Sequence, residues 1–209
     1  MILMDALTQR IIFNAWGDKE SYVHLYPLLG RLKAQGLNPR FATMDGHLKV
    51  MQAFKETWPE LVIQRCLYHI QRQGLSWVRA YPKTEAGQRL RFLLLKLIPI
   101  QSRKEQSRFF DAYQGWLLKY QGFVKSLPPI SVAFKDLKRT MKLIQNALPD
   151  MFHYLKDSFI EPTTNKLESF YSRLKADIRR HRGLSQKHKK AYLQWYCYFK
   201  NRRRNINTF

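Results

Sequence analysis

The stretch that decides the fold is RFATMDGH at residues 40–47. Residues 40–44 predict a short strand, which Asp45-Gly46 ends before a helical run over residues 48–58. An acid at the carboxyl tip of a strand lies where α/β sheets bind their ligands. Asp45 is therefore a candidate metal ligand. The alternative is that Asp45 caps the following helix, and the two roles can coexist.

A second strand is predicted after that helix. Leu-Val-Ile at residues 61–63 is a compact run with β-branched side chains, which is typical of a buried strand. The motif QRCLYH follows at residues 64–69 and places Cys66 three residues before His69. The pair could form half of a zinc site, or it could pack and hydrogen-bond. A structural zinc site needs two further ligands, and the candidates are His24, His47 and Cys197.

The third motif is TTNKLESFYSRLK at residues 163–175. Glu168 and Lys175 are seven residues apart, so they project from the same face of a helix. A carboxylate that can hold a metal, beside a cation that can hold a phosphate, suits a metal-dependent phosphodiester enzyme. The alternative is a solvated pair of charges on a surface helix.

These three motifs, in this order, resemble the DDE transposases of bacterial insertion sequences. The closest resemblance is to the Mutator-like group, which carries a Cys-x-x-His step after its second catalytic Asp. The resemblance runs from about residue 1 to about residue 185.

The resemblance implies an RNase H-like α/β fold in which Asp, Asp and Glu hold two divalent metals, Mg²⁺ or Mn²⁺. It also implies a mostly helical insertion between the second Asp and the Glu. Asp45 matches the second Asp, Glu168 the Glu, and Lys175 the basic residue that follows it. Cys66 and His69 match the Cys-x-x-His pair. Catalytic roles are thus expected for Asp45, Glu168 and Lys175, and metal binding for the two acids.

The first Asp of the family has no clear counterpart. Residues 2–4 and 11–16 predict one hairpin around Asp5, and a helix over residues 20–32 follows at once. The family's fold requires three strands before that helix. We therefore expect a core that lacks its first strand, in a truncated and catalytically impaired transposase. The alternative is that Asp5 is itself the first catalytic acid.

The charge of the chain predicts nucleic acid as its partner. Its 209 residues include 37 Lys and Arg against 15 Asp and Glu, a net charge of +22. From residue 163 onward the acids are only Glu168 and Asp177. The alternative is a basic tail that merely solvates the protein. The residues expected to bind DNA are Arg173, Lys175, Arg179, Arg180 and Arg182.

A last helix is predicted over residues 189–201, with an aromatic stripe. The stripe has helical spacing and is expected to pack on the core, although base stacking is the alternative. Its members are Tyr192, Trp195, Tyr196 and Phe199. The cations expected to face solvent are Lys189, Lys190, Lys200 and Arg202.

The pattern predicts three segments: a partial RNase H-like core at 1–75, a helical insertion at 76–160, and a returning core helix with a basic C-terminal helix at 161–209. Helices are expected within the insertion at 89–98, 105–123 and 132–148. No apolar run approaches the roughly 20 residues that span a bilayer. The expected location is the bacterial cytoplasm, with the nucleoid.

The function expected from these patterns is DNA transposition. Its partners would be DNA and either further copies of the chain or a full-length transposase. A second hypothesis is a non-catalytic nucleic-acid-binding protein that represses a full-length transposase. A third is an unrelated basic helical RNA-binding protein, for which the order of the motifs would be coincidence.

Overall fold

A computed structural model of the chain describes residues 1–15 and 21–206, and side chains as far as residue 202. These residues are mostly helical, with four short strands in two small sheets, which is compatible with the predicted α/β class. Trp16 and Glu20, predicted at element ends, lie outside the described residues. The chain divides into two compact units. The first is Met1–Pro39, His47–Leu61 and Thr164–Phe209, and the second is Arg40–Gly46 and Val62–Thr163.

The first unit begins with the predicted β-hairpin. β1 (Ile2–Met4) pairs antiparallel with β2 (Ile11–Asn14), and the register is irregular between Leu3 and Met4. Asp5 closes the turn: its Oδ1 accepts a hydrogen bond from the Thr8 N–H at 2.6 Å and one from the Thr8 hydroxyl at 2.7 Å. An Asp side chain that binds the backbone just ahead of it favours a turn. The prediction that Asp5 is a turn residue is confirmed.

Two helices pack on this hairpin. α7 (Asn165–Arg180) and α8 (Gln186–Ile206) are joined by a turn in which Gly183 has a φ of 88°. Buried side chains four residues apart fall on one face of each helix, and both faces meet the hairpin. The shared core consists of Ile2, Ile11, Phe170, Leu174, Leu193 and Cys197.

The prediction for the aromatic stripe of α8 is wrong at two positions. Trp195 is 60% exposed and Phe199 is 52% exposed, while Tyr192 and Tyr196 are half-buried. The buried centre of the helix lies at Leu193 and Cys197, one residue position away from the predicted stripe.

Two of the α8 cations also differ from the prediction. Lys190 and Arg202 are exposed as expected, but Lys189 and Lys200 are half-buried. The Lys200 ammonium lies 4.8 Å from the centre of the Phe170 ring, so its side chain follows the neighbouring helix.

One side chain of α8 holds the outer edge of the hairpin. The Asn201 amide accepts a hydrogen bond from the Ile11 N–H at 2.9 Å and donates one to the Ile11 carbonyl at 3.0 Å. An edge strand exposes such groups, and here a side chain satisfies both of them as a neighbouring strand would. The contact joins residues 190 positions apart, so it fixes α8 against β2.

Replacing Asn201 by alanine should therefore destabilise the first unit. Asn201→Ala leaves the half-buried N–H and C=O of Ile11 without partners, which should lower the free energy of unfolding by about 1–3 kcal/mol. Gln194→Ala, at an exposed position of the same helix, is the control and should change it by less than about 0.5 kcal/mol. Urea denaturation measures both, and equal effects would show that the amide does not hold the edge.

The rest of the first unit is a pair of helices. α1 (Tyr22–Ala34) packs on α2 (Leu48–Thr57) through its buried face, and the Lys33 ammonium donates to the Thr57 carbonyl at 2.7 Å. The N-cap residue of α2 is His47. The alternative that Asp45 caps this helix is therefore wrong. The buried face of α1 consists of Leu25, Leu29 and Leu32.

The second unit contains a parallel pair of strands. β3 (Phe41–Met44) runs beside β4 (Val62–Arg65), with Phe41 opposite Val62 and Met44 opposite Arg65. The predicted strand at residues 61–63 continues through Gln64 and Arg65. These two polar side chains are only 0% and 5% exposed, so β4 is a buried strand to its end.

Four helices complete the second unit: α3 (Leu67–Val78), α4 (Glu85–Leu95), α5 (Arg103–Ser126) and α6 (Val132–Ala147). α4 begins four residues before the predicted start because the Thr84 hydroxyl accepts the Gly87 N–H at 3.1 Å. A reciprocal Ser102–Glu105 capping box starts α5. One continuous core, including the fully buried Leu90, Leu94 and Tyr113, joins the four helices.

No helix in the described ranges has both the length and the apolar character needed to cross a bilayer.

Candidate active site

The parallel strand pair brings two of the sequence motifs to one edge. Asp45 directly follows β3, Cys66 directly follows β4, and the residues before them, Met44 and Arg65, are paired. The Cys66 N–H donates to the Met44 carbonyl at 2.8 Å. The Asp45 side chain is exposed at this carboxyl edge, and Cys66 is fully buried beside it. Such an edge is where α/β sheets bind ligands.

Arg65 supports the turn that carries Asp45. Gly46 has a φ of 93°, and a Cβ placed on it would lie 2.0 Å from the Arg65 Cζ. The guanidinium therefore packs directly against the Gly46 backbone. Its Nη2 lies 3.5 Å from the Asp45 carbonyl, and its Nε has no hydrogen-bond partner among the described residues. Burial lowers the pKa of Arg65, and the carboxylates of Asp150 and Asp45 oppose that shift.

Gln64 fixes the other side of β4. Its amide nitrogen donates to the Arg65 and Met151 carbonyls, both at 2.8 Å, and its Oε1 accepts the Tyr154 N–H at 3.3 Å. The segment after α6 is thereby attached to the strand. Neither Gln64 nor Arg65 has a role predicted from the sequence motifs. The available signal was two polar residues that continue an apolar strand, which indicates buried polar partners.

Cys66 and His69 lie in contact at the start of α3. Cys66 is the N-cap residue of the helix, and its Sγ is 3.1 Å from the His69 Nδ1. The described residues form no group of three or more His, Cys, Asp or Glu side chains that could hold a metal. The candidates for further zinc ligands, His24, His47 and Cys197, belong to the first unit. The contact between Cys66 and His69 is itself the packing and hydrogen bonding that the sequence offers as the alternative to zinc.

The chain that leads to the third motif is attached to the same edge. The Thr43 hydroxyl donates to the Glu161 carbonyl at 2.6 Å, and the Leu67 N–H donates to the Pro162 carbonyl at 3.0 Å. Residues 161–162 are thus held by both β3 and α3, within the second unit. Glu168 follows six residues after Pro162, in the first unit.

Glu168 and Lys175 both lie on α7, as predicted. Glu168 is half-buried in the first turn, where a negative charge is also favoured by the helix dipole. Lys175 is exposed, and its ammonium lies 5.9 Å from the centre of the Tyr171 ring. The remaining predicted DNA-binding cations are also exposed, and Arg180 forms a 3.3 Å ion pair with Asp177. They are Arg173, Arg179, Arg180 and Arg182.

The start of α7 also contacts the hairpin turn. The Lys166 ammonium donates to the Ala6 carbonyl at 3.2 Å, one residue after Asp5. The two hydrogen bonds from Thr8 to the Asp5 carboxylate hold the pKa of Asp5 below its usual value. This carboxylate therefore already has partners within its own turn.

A scan against protein-family models matches residues 8–184 to the model described as transposase, Mutator family. The chain belongs to the Mutator family of transposases. A search of curated proteins finds no match to it.

In this transposase the predicted site residues divide between the two units. Asp45, Cys66 and His69 lie at the carboxyl edge of β3 and β4, while Glu168 and Lys175 lie on α7. Exposed or half-exposed carboxylate oxygens suit Mg²⁺ or Mn²⁺. However, a three-acid metal group is not found in the described part of the chain. Asp45 and Glu168 offer the oxygen donors that such an ion takes, but as two carboxylates they are one short of the three that the family resemblance implies.

The contact between Gly46 and Arg65 predicts a specific mutational effect. Gly46→Ala should lower the free energy of unfolding by about 2–5 kcal/mol, because the positive φ costs about 1–2 kcal/mol and the displaced guanidinium adds overpacking strain of about 1–3 kcal/mol. Gly36→Ala is the matched control, since Gly36 has the same φ of 93° with nothing near its Cβ position. Gly36→Ala should lower the free energy of unfolding only by the cost of the positive φ, about 1–2 kcal/mol. Urea denaturation compares the two.

A double-mutant cycle with Arg65→Ala isolates the contact. In the Arg65→Ala background, Gly46→Ala should cost no more than Gly36→Ala does. If the cost of Gly46→Ala is the same with and without Arg65, the guanidinium does not support the turn.

Substitution of Asp5 tests whether it is a turn residue or a metal ligand, because the two roles respond differently to replacement of the carboxylate by an amide. Asp5→Asn keeps the Oδ1 acceptor and should retain the hairpin, whereas Asp5→Ala should destabilise it by about 1 kcal/mol. Because Thr8 lowers the pKa of the wild-type carboxyl, its extra stabilisation is present near neutral pH and is lost as the pH falls through that lowered pKa.

Thermal unfolding of both Asp5 variants at neutral and acidic pH measures the effect. Calorimetric titration with Mn²⁺ should give the same result for both variants as for the wild type. Loss of Mn²⁺ binding in Asp5→Asn, with an intact hairpin, would assign Asp5 to the metal site instead.

Proposed function

We propose that this chain is a DDE-type transposase with an RNase H-like core that acts on the DNA of a bacterial insertion sequence and is catalytically impaired by itself. The observation that carries the proposal is the position of Asp45 at the carboxyl edge of β3 and β4, within a chain of the Mutator family. An exposed carboxylate at that edge, on a turn whose backbone packs against the buried Arg65, can serve as a ligand for a cation.

The proposed acids are Asp45 and Glu168, which would hold Mg²⁺ or Mn²⁺ through hard oxygen ligands. When bound, the metals would stabilise the charge that develops on the attacking and leaving oxygens of a phosphodiester. Lys175 is exposed seven residues beyond Glu168 and would bind a DNA phosphate. Cys66 and His69 would stabilise the carboxyl edge of β4, because Cys66 is buried directly after that strand and contacts the His69 ring.

The proposed impairment follows from the state of Asp5. Its carboxylate accepts two hydrogen bonds from Thr8, and a metal would have to compete with both. Two acids offset less of the charge of two divalent ions than three do. We propose that the chain associates with itself or with a full-length transposase, which would supply a third carboxylate.

DNA binding would not depend on the acids. Arg173, Arg179, Arg180 and Arg182 are exposed on or just after α7, and the chain carries a net charge of +22. If six to ten phosphates are contacted, the affinity should fall by roughly 10³ to 10⁵ between low and moderate salt. The proposed location is accordingly the bacterial cytoplasm, on the nucleoid.

A second candidate function is a non-catalytic DNA-binding protein that represses a full-length transposase. It is favoured by the combination of a turn-bound Asp5 with an exposed basic helix. Such a chain would occupy the same DNA, or the same subunit contacts, without cutting.

Calorimetry with Mn²⁺ and a nicking assay on supercoiled plasmid DNA distinguish these functions. Mn²⁺ binding should be lost in Asp45→Asn and in Glu168→Gln. Asp111→Asn is the control, since it removes an exposed acid of α5 and should have no effect. The wild-type chain should nick little or none of the plasmid while binding it.

Three results would change the proposal. DNA binding without Mn²⁺ binding would favour the repressor. Efficient Mg²⁺-dependent nicking that Asp5→Ala abolishes would overturn the impairment and make Asp5 the missing acid. Absence of binding to both Mn²⁺ and DNA would overturn both candidate functions.

A further inference from the structure

The outer face of α8 carries three aromatic side chains that the described core does not use. Trp195, Tyr198 and Phe199 are 60%, 48% and 52% exposed. The Trp195 and Phe199 rings are nearly parallel, with centroids 5.6 Å apart and an interplanar angle of 25°. Tyr198 meets Trp195 edge to face at 5.7 Å. We call these three residues the aromatic face.

The aromatic face is separate from the face that holds α8 in place. Leu193 and Cys197 are buried against the hairpin and α7, and Asn201 binds β2. The helix is therefore anchored without the three rings. A single exposed apolar residue is normal, but a cluster of large aromatics in mutual contact indicates a binding surface.

Positive charge borders the aromatic face at both ends. Lys187 lies eleven residues, about three helical turns, before Tyr198 on the same side of α8, and Arg202 lies seven residues, about two turns, after Trp195. Both are exposed, and the Arg202 guanidinium is 5.8 Å from the centre of the Tyr198 ring. Residues 186–206 contain no Asp or Glu. The partner of this face should therefore be an anion with flat apolar groups.

We propose that the aromatic face binds unpaired bases of single-stranded DNA by stacking, while the cations at its ends bind the phosphates. Stacking on aromatic side chains within a positively charged surface is how proteins hold single strands without reading their sequence. The inference rests on the proposed function, since cutting and joining strands exposes unpaired nucleotides.

Two other occupants are disfavoured by the same observations. Duplex DNA keeps its base faces stacked inside the helix, so it would use the cations and leave the rings without a role. A second copy that used this same face would bring its own Lys187 and Arg202 against these two cations, and like charges oppose such a contact.

Fluorescence anisotropy with an oligothymidylate of about 20 nucleotides, and with a duplex of the same length, tests the proposal. The wild type should bind both. Trp195→Ala combined with Phe199→Ala should weaken single-strand binding by at least about fivefold, the lower limit for losing one stacked base. Duplex affinity should change by less than about twofold, because phosphate contacts supply most of it.

Three further variants separate stacking from charge and from folding. Trp195→Phe should retain most of the single-strand affinity, whereas Trp195→Leu, which is apolar but has no ring, should lose it. Lys187→Gln should weaken the binding of both the single strand and the duplex, and should reduce the salt dependence of each affinity. Tyr81→Ala removes a 92% exposed ring from the other unit and should change neither affinity.

The stacking proposal would be overturned if the double variant lost equal affinity for the single strand and the duplex, or lost affinity for neither. It would also be overturned if Trp195→Leu kept the full single-strand affinity. The proposed transposase function would stand in each case. A change in molar mass by light scattering in the Trp195→Ala, Phe199→Ala variant, without a change in DNA affinity, would assign the face to a second copy. If the wild type binds neither DNA, both this inference and the proposed function fail. Stacking without Mn²⁺ binding would sustain this inference while removing the catalytic part of the function.

Discussion

The parallel pairing of β3 with β4 is the constraint on which the second unit depends. It places Met44 beside Arg65, so that the residues after them, Asp45 and Cys66, emerge at one edge. Side chains alternate between the two faces of a strand, and a slip of one residue would exchange every one of them. The slip would break the hydrogen bond from the Gln64 amide to the Met151 carbonyl and would separate the Arg65 guanidinium from Gly46. A buried polar network thus specifies a register that the short apolar run of β4 alone would not.

Arg65 differs in kind from the other cations of this basic chain. It is 5% exposed and lies near the carboxylates of Asp45 and Asp150, which offset the cost of its burial. The guanidinium ties the strand end to the Asp45-Gly46 turn, and Gly46 is required there both for its positive φ and for the space it leaves. By contrast Arg173, Arg179 and Lys175 are exposed on α7. One positive charge organises the edge, and the exposed ones are available to a polyanion.

The sequence predicts local structure well and the faces of its helices less well. The hairpin around Asp5, the strand before Asp45 and the shared helix of Glu168 and Lys175 follow from turn residues, strand patterns and helical spacing. The buried face of α8 did not follow, because Trp195 and Phe199 are as apolar as the residues that pack. Which face of α8 is buried depends on how Leu193 and Cys197 pack against Phe170 and Leu174, which lie on a different helix. The partners of Gln64 and Arg65 are likewise distant in sequence, and no local pattern specifies them.

The β1–β2 hairpin carries Asp5, the alternative catalytic acid, and contacts the two basic helices. Its turn uses the Asp5 carboxylate and receives Lys166 from the start of α7, while its outer edge is held by Asn201 of α8. The hairpin is therefore a support for the two basic helices, whatever Asp5 contributes to chemistry. Replacing Asp45 or Glu168 would leave these contacts intact, since none of them involves either residue. The exposed cations and the aromatic face therefore keep their positions whatever happens to those two acids, and the proposed DNA binding does not depend on the proposed catalysis.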